Sequence, residues 1–549
     1  QRQWPTNPML DRVQLFAGLA LIAGGDDDRA NAVLESLTSR SPDGPYAGRA
    51  ALLLGQCRER QGRGDEAAKR YREAMGSRDT QIAADAGIGL AGLLLEQGKT
   101  DDAATALDQV AKESSDKDVP ARLLMLRGRV LLERKEYDEA AVEFRSAGQR
   151  DAIVRDASEY WIAKCDLRAG RNREAAQRLT AAMKAYPESS LVAEMAYDRG
   201  VAFMRDGDKL AAIDACADFT KRFATHALVP EALHIQAVLE HERGNEQASI
   251  DLCSEFVKLY PDHELRVSIE YLWAEDLFAA GNLADAAQRF ARFATDHAGD
   301  DRASMARLRQ GAALYRLEQY DDAQTALALI NEEAARDESL HAALLMLGDI
   351  AFRKESWSQA ADQLDAYLRT TPNGPGGDDA LLKRSLAQAR LDQPDKAIAG
   401  LTRLIDEHSD SPHVLQAYFD RGQLRLSDKD TTRAVADFER VIDLDSKSRF
   451  APFALNHLAA LAMRDGDNDG AAELYARAAA AGNGALAAEA RFQQAQALMA
   501  AKEFDRASAI LRQCVDDHSD HERANVARAQ LVIARSRQAD KAGALEAYK

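Results

Sequence analysis

Aromatic residues are scarce in this chain, making up only 6% of 549 positions, although 46% of the residues are hydrophobic. Alanine supplies much of the difference, a balance that suits closely packed helices with small residues at their contacts. Proline (13 residues) and glycine (33) are few and fall mostly between periodic segments. No apolar run reaches the roughly 18–20 residues of a membrane span. The five cysteines are odd in number and widely spaced, with no CxxC pair, which excludes a disulfide framework or a zinc ribbon. Positive charge is in deficit: the net charge of −18 disfavours generic binding to nucleic acid or anionic lipid. The sequence begins at Gln1 without an initiator Met or a signal peptide, and Lys541–Lys549 reads as an interrupted helix. The expectation is a segment of a longer protein.

What the chain has is a period. Ala175, Ala212, Ser249, Ala286, Ala323, Ala360, Ala397, Ala434 and Ala471 are spaced by 37 residues, and the series extends to Ala140, Ala103, Ala67, Ala30 and Ala507. Such a period marks a repeat architecture, in which length does not demand a single large core. Four residues after each reference position stands an apolar or aromatic residue, as in Leu34, Tyr71, Phe144, Cys216, Phe290, Leu364 and Phe438. Twelve residues before it stands Gly, Ala or Ser, as in Gly18, Gly55, Gly128, Gly200, Gly311, Gly348, Ser385 and Gly422. Between the two small positions lies a turn holding Gly or a charged residue, such as Gly62, Gly170, Gly207 or Gly466.

Positions i and i+4 share one helix face, so each repeat reads as two antiparallel helices. Helices of about 14 residues are too short to persist alone in water and depend on stacking. The pattern predicts that the small residue of the first helix faces the small residue of the second. The apolar residue one turn later then plugs the groove towards the next repeat. Cys216 and Cys253 fall at this plug position of adjacent repeats and are expected to be packed thiols, since equivalent positions lie roughly 10 Å apart and a disulfide needs Cα atoms within about 7 Å.

With a small residue at its eighth position, Ala at its twentieth and an apolar residue at its twenty-fourth, the repeat resembles the tetratricopeptide repeat. The resemblance covers essentially the whole chain. It implies an all-α, right-handed α-solenoid superhelix of about fourteen helix pairs plus a partial one near Ala542, continuous over residues 1–549. The step of 37 exceeds the usual tetratricopeptide step of about 34 residues. Repeat endings such as Tyr186-Pro187-Glu188-Ser189 and Tyr260-Pro261-Asp262-His263 resemble those of bacterial cell-envelope members, including the periplasmic Tol-Pal coordinator and outer-membrane assembly lipoproteins. That likeness implies an envelope or periplasmic setting, with the cytoplasm as the alternative. The Gly/Pro-rich stretch Thr371-Pro372-Asn373-Gly374-Pro375-Gly376-Gly377 keeps the 37-residue step and reads as a hinge within the solenoid.

Enzymatic motifs fail on spacing. Gly92 to Thr100 has five residues between its glycines where a phosphate-binding loop needs four. Asp465-Gly466-Asp467-Asn468-Asp469-Gly470 opens like a calcium loop, but its twelfth position is Ala476 in place of a bidentate Glu. His241-Glu242 and His521-Glu522 lack the second His of a zinc-protease helix. The chain is expected to be non-catalytic, without metal or cofactor.

In the family resembled, the first helices line the inner surface, and ligands meet their second, fifth, ninth, twelfth and thirteenth positions. The fifth position carries Tyr160, Tyr197, His234 and Tyr271 in four consecutive repeats, beside Trp161, Lys164, His241 and Glu275. The thirteenth carries Arg60, Arg168, Arg205, Arg316, Arg353, Arg390 and Arg464. Rings in a row suit a peptide, and the arginines suit an acidic segment; both sets also admit a purely structural role, as helix padding and as ion-pair partners. The carboxylate clamp of chaperone-binding relatives does not transfer, since its Lys and Asn positions hold Tyr160 or Tyr197 and Lys164 or Val201. The expected function is a scaffold binding protein or peptide segments along the concave face. The alternatives are an accessory solenoid of an envelope enzyme and a ligand sensor that flexes.

Overall fold

The computed structural model describes residues 8–113, 119–372, 374–517, 523–538 and 541–548; Asn373 and the pair His521-Glu522 lie outside them. About 80% of the chain is helical. Among the described residues there are no strands and 31 α-helices, and all but the one-turn Asn331–Ala334 form consecutive pairs. Fourteen pairs follow the reference alanines, and a fifteenth (Ala524–Arg537 with Lys541–Tyr548) follows them. The chain forms two compact units, Gln1–Asp276 and Leu277–Lys549.

Each repeat is closed by a turn with one residue in the left-handed region, five residues before the reference position. Eight of the fourteen are glycines, including Gly170 (φ 79°) and Gly207 (φ 85°), and the other six are Lys135, Glu318, Glu355, Asp392, Lys429 and Lys502. A side chain there costs roughly 1 kcal/mol, and the antiparallel packing on either side holds these six in place. The turns account for both false motifs. Gly98 is the left-handed residue of one. In the other, Asp467 accepts a hydrogen bond from Gly470 N (3.0 Å) and caps the helix Asn468–Ala481.

All fourteen reference residues are fully buried, and the apolar residues four positions later are buried. The packing between them adds a contact to the sequence expectation. The small residue of the first helix also meets the apolar residue of its own repeat, while Ser249 Oγ, at a reference position, donates to the carbonyl of Ala237 at the small position (2.9 Å). A Cβ added at Gly128 would lie 2.6 Å from the Phe144 ring, one at Gly55 2.7 Å from Tyr71, and one at Gly348 2.5 Å from Leu364. Side chains lean towards the N-terminus of their helix, so in an antiparallel pair the plug swings back over the small residue. Its far side serves the next repeat where room allows: a Cβ at Gly89 would lie 2.9 Å from Tyr71. All five cysteines are buried free thiols, and burial pushes Cys216 up to about 12.

The second helix of the ninth repeat departs from the pattern. It stops at Ala328, and the chain continues through Asn331–Ala334 and a short 3-10 turn, Glu338–Leu340. The break turns Ile330 and Leu340 into the core and leaves Leu329 exposed. Within the second unit, two hydrogen bonds reach the stretch expected to hinge: Tyr367 Oη donates to Pro375 O (2.6 Å), and Thr371 Oγ1 bonds His341 Nδ1 (2.6 Å).

Candidate binding face of the first helices

Successive first helices meet along one edge, with polar side chains 34 residues apart in register. In the first unit, Lys164 Nζ donates to both oxygens of Asp198 (2.9 and 3.2 Å), and His234 Nε2 bonds Ser268 Oγ (3.3 Å). In the second, Asp349 gathers three repeats: Tyr315 Oη and Arg353 Nε reach its Oδ2, and Lys383 Nζ reaches its Oδ1, each at 2.5 Å. Burial works to raise the Asp349 carboxyl, but the hydrogen bonds from Lys383, Tyr315 and Arg353 outweigh it and hold it below the usual carboxylate range. Gln423 with His457 and Gln496 with Gln530 repeat the same ninth-to-sixth step. These ties were missed in the sequence, although complementary residues 34 apart were their visible signal.

The expected ring series lies on four consecutive first helices, Arg155–Arg168, Val192–Asp206, Val229–Glu242 and Arg266–Ala279. Its members are not equivalent. Tyr160 is buried, edge-on to Trp161 (5.5 Å between ring centres), with Lys164 Nζ 5.7 Å from its ring. Burial and the Asp198 carboxylate push its hydroxyl far up. Trp161 is half-buried, stacked on Phe144 at 5.9 Å and 20° under the Arg129 guanidinium. Tyr197, His234 and Tyr271 are half-buried. Tyr197 leans on Phe219 (5.7 Å), and burial pushes it up to about 12, followed by the Glu231 carboxylate. Burial lowers His234. His241 Nδ1 bonds Asp276 Oδ1 (2.6 Å), a fully buried acid that burial holds in its protonated direction. Glu275 is half-buried on the same helix face as Tyr271.

The arginine column divides. Arg60 binds Asp27 through both Nε (3.0 Å) and Nη2 (2.6 Å), Arg353 is held by Asp349, and Arg464 pairs with the adjacent Asp465 (3.0 Å). Arg316 lies over the Phe278 ring at 5.3 Å. Arg168, Arg205 and Arg390 are exposed and form no ion pair among the described residues. Lys164, by contrast, is spent on Asp198. Among the described residues no cluster of three or more His, Cys, Asp or Glu side chains is arranged to hold a metal, and no helix is long and apolar enough to cross a membrane.

Stacked helix pairs, locked by a small residue against an apolar plug and tied along the first helices, define an α-solenoid of the helix-pair class. A tetratricopeptide repeat-like domain model matches residues 13–159, and tetratricopeptide repeat models match residues 163–227, 308–375, 382–449 and 489–521. The chain belongs to the tetratricopeptide repeat family. No curated protein matches it. Solved structures with likeness to it include Pseudomonas aeruginosa pilF (17% identity, TM-score 0.33, covering 41% of this chain and 97% of that one). A tetratricopeptide repeat protein from Parabacteroides merdae is another (13%, 0.30, 48% and 96%), and the APC/C hetero-tetramer Cut9-Hcn1 is a third (14%, 0.29, 99% and 92%). Arrays of this family are protein-interaction scaffolds and typically non-catalytic.

Proposed function

We propose that the chain is a non-catalytic scaffold that holds peptide segments of protein partners along its first helices, with the principal contacts in the first unit. The observation that carries this reading is the pair Arg168 and Arg205. In an acidic chain most basic groups on these helices are consumed by neighbours, yet these two, 37 residues apart, stand exposed without a counter-ion. Half-buried rings accompany them: Trp161, Tyr197, His234 and Tyr271. Rigid amphipathic rings lose little freedom on binding and anchor interfaces well, while unpaired guanidinium groups accept carboxylates in bidentate fashion. The partner segment is therefore extended, with acidic residues spaced to reach successive repeats. The Tyr-Pro repeat endings support an envelope-associated assembly as its setting.

Site-specific photocrosslinking tests this. A photoreactive phenylalanine replaces Tyr197 or Tyr271, and in a control replaces Val142, an exposed residue of a second helix. Partner peptides crosslink from the first two positions and not from the third, and the combined Arg168→Glu and Arg205→Glu change removes the crosslinks while leaving helicity intact. Equal crosslinking from Val142, or crosslinks indifferent to the arginine reversal, would sink the reading.

A further inference from the structure

Asp420 occupies the sixth position of the first helix Val414–Ser427 in the second unit. The ninth-to-sixth step that joins Asp349 to Lys383 and Gln423 to His457 puts Leu386 opposite Asp420. The carboxylate therefore lacks the charged partner that Asp198 has and is hydrogen-bonded instead by Gln416, one turn earlier on its own helix. Its Oδ2 is buried without a hydrogen-bond partner, and among the described residues no ion pair forms at it. Arg449, whose charge favours the ionised Asp420, reaches Gln416 Oε1 (3.4 Å) one turn earlier and lies over the Phe450 ring at 4.7 Å. Across the same junction Phe453, 34 residues on, packs on Phe419, the residue before Asp420. Phe453 is an exposed large apolar residue (46%), with its ring 6.2 Å from that of Phe419.

We propose that Asp420 and the exposed Phe453 ring form a subsite for a basic side chain of a bound peptide, an arginine or lysine taking the place that Lys164 takes on Asp198. A carboxylate beside an open ring offers a cation a charge-assisted hydrogen bond and a π face together. The net charge of −18 draws cations towards the molecule. Burial raises the Asp420 carboxyl to about 6, against Gln416 and Arg449, which lower it. It is thus ionised at neutral pH, and a docked cation would hold it so. The inference rests on the first helices as the peptide-binding face, but concerns residues distinct from those of the first unit.

The test is fluorescence anisotropy of a labelled Gly-Arg-Arg-Gly peptide with the full chain at neutral pH. Asp420→Asn removes the charge, Leu386→Lys supplies an internal competitor, and Asp465→Asn, in a distant turn, controls for lost charge in general. The wild type and Asp465→Asn are expected to bind saturably, with Asp420→Asn and Leu386→Lys each weaker by about tenfold, the loss of one charge-assisted bond. A Gly-Glu-Glu-Gly peptide is expected not to bind. Absence of saturable binding to the wild type overturns the proposal, as does equal affinity in Asp420→Asn with circular dichroism unchanged. Spermidine binding as tightly as the peptide would overturn the assignment to a peptide side chain. None of these failures would alter crosslinking from Tyr197, so the two readings fall separately.

Discussion

Asp198 and Asp420 hold the same sixth position of a first helix, one in each unit, and meet opposite fates. Asp198 is buried and receives Lys164 through both oxygens. Asp420 is half-buried, and the ninth position one repeat earlier holds Leu386. The backbone register is common to both, so the residue one repeat earlier decides whether a carboxylate becomes an internal tie or a group left for something else. Asp349 shows that the polarity of the tie is interchangeable, since there the acid stands at the ninth position and Lys383 at the sixth. An ionisable group kept half-buried without an ion-pair partner costs stability, and such costs tend to persist where they serve a function.

The largest effect lies on the closed side. Lys164→Met keeps the stem that packs near Tyr160 but leaves a buried acid uncompensated. Removing one partner of a fully buried pair costs about 3–5 kcal/mol; with the Lys164 side chain 26% exposed, about 2 kcal/mol is expected. Because a solenoid opens locally, hydrogen exchange of amides in Val192–Asp206 reads this directly. Unchanged protection there would remove the tie from the account.

Asp420→Asn should act in the opposite direction. The folded carboxyl, at about 6, sits above the unfolded value of about 3.9. The folded state therefore binds the proton more readily, and wild-type stability falls as pH rises between these values. The penalty is complete above about pH 6 and absent below about pH 4. Asparagine cannot ionise, so the variant is expected to be more stable by about 1 kcal/mol at neutral pH, after allowance for solvent screening. Amide exchange in Val414–Ser427 should show the gain at neutral pH and its disappearance in acid. A loss of stability would mean that Gln416 and Arg449 stabilise the charge by more than burial costs it.

Much of this arrangement was legible in the sequence. The period, the buried columns and the turn residues could be read because each repeat imposes the same burial on the same position. The arginine column was also readable in principle: Arg60 has Asp27 33 residues earlier and Arg353 has Asp349 four residues earlier, whereas Lys135 and Lys164 stand at those places for Arg168. Two things were not legible. That the small position also meets the plug depends on the tilt of Cα–Cβ bonds in an antiparallel pair, hence Gly128 against Phe144. The ring series also looks uniform by period, yet Tyr160 is covered by Trp161 and Lys164 while Tyr197 and Tyr271 remain half-exposed. Side-chain neighbours, which the period does not encode, decide that.

The smallest effect is the most diagnostic. Leu386→Lys converts the open junction to the closed kind. The lysine loses some packing of Leu386, a partly buried residue against the second unit's core, and gains an ion pair of about 0.2–1 kcal/mol, so net stability should change little. Its signature is in the coupling. In the wild type, Asp420→Asn stabilises; in the Leu386→Lys background the same change strands a lysine and should destabilise. The double-mutant cycle then yields a favourable interaction of about 1 kcal/mol or more between neighbours that share one contact. The pH dependence of the Asp420→Asn difference should reverse as well, because a paired carboxyl titrates below its unfolded value and its stabilisation is lost as pH falls. A cycle that closes to zero would show that residues 386 and 420 do not face each other, and the shared register behind both aspartates would fail with it.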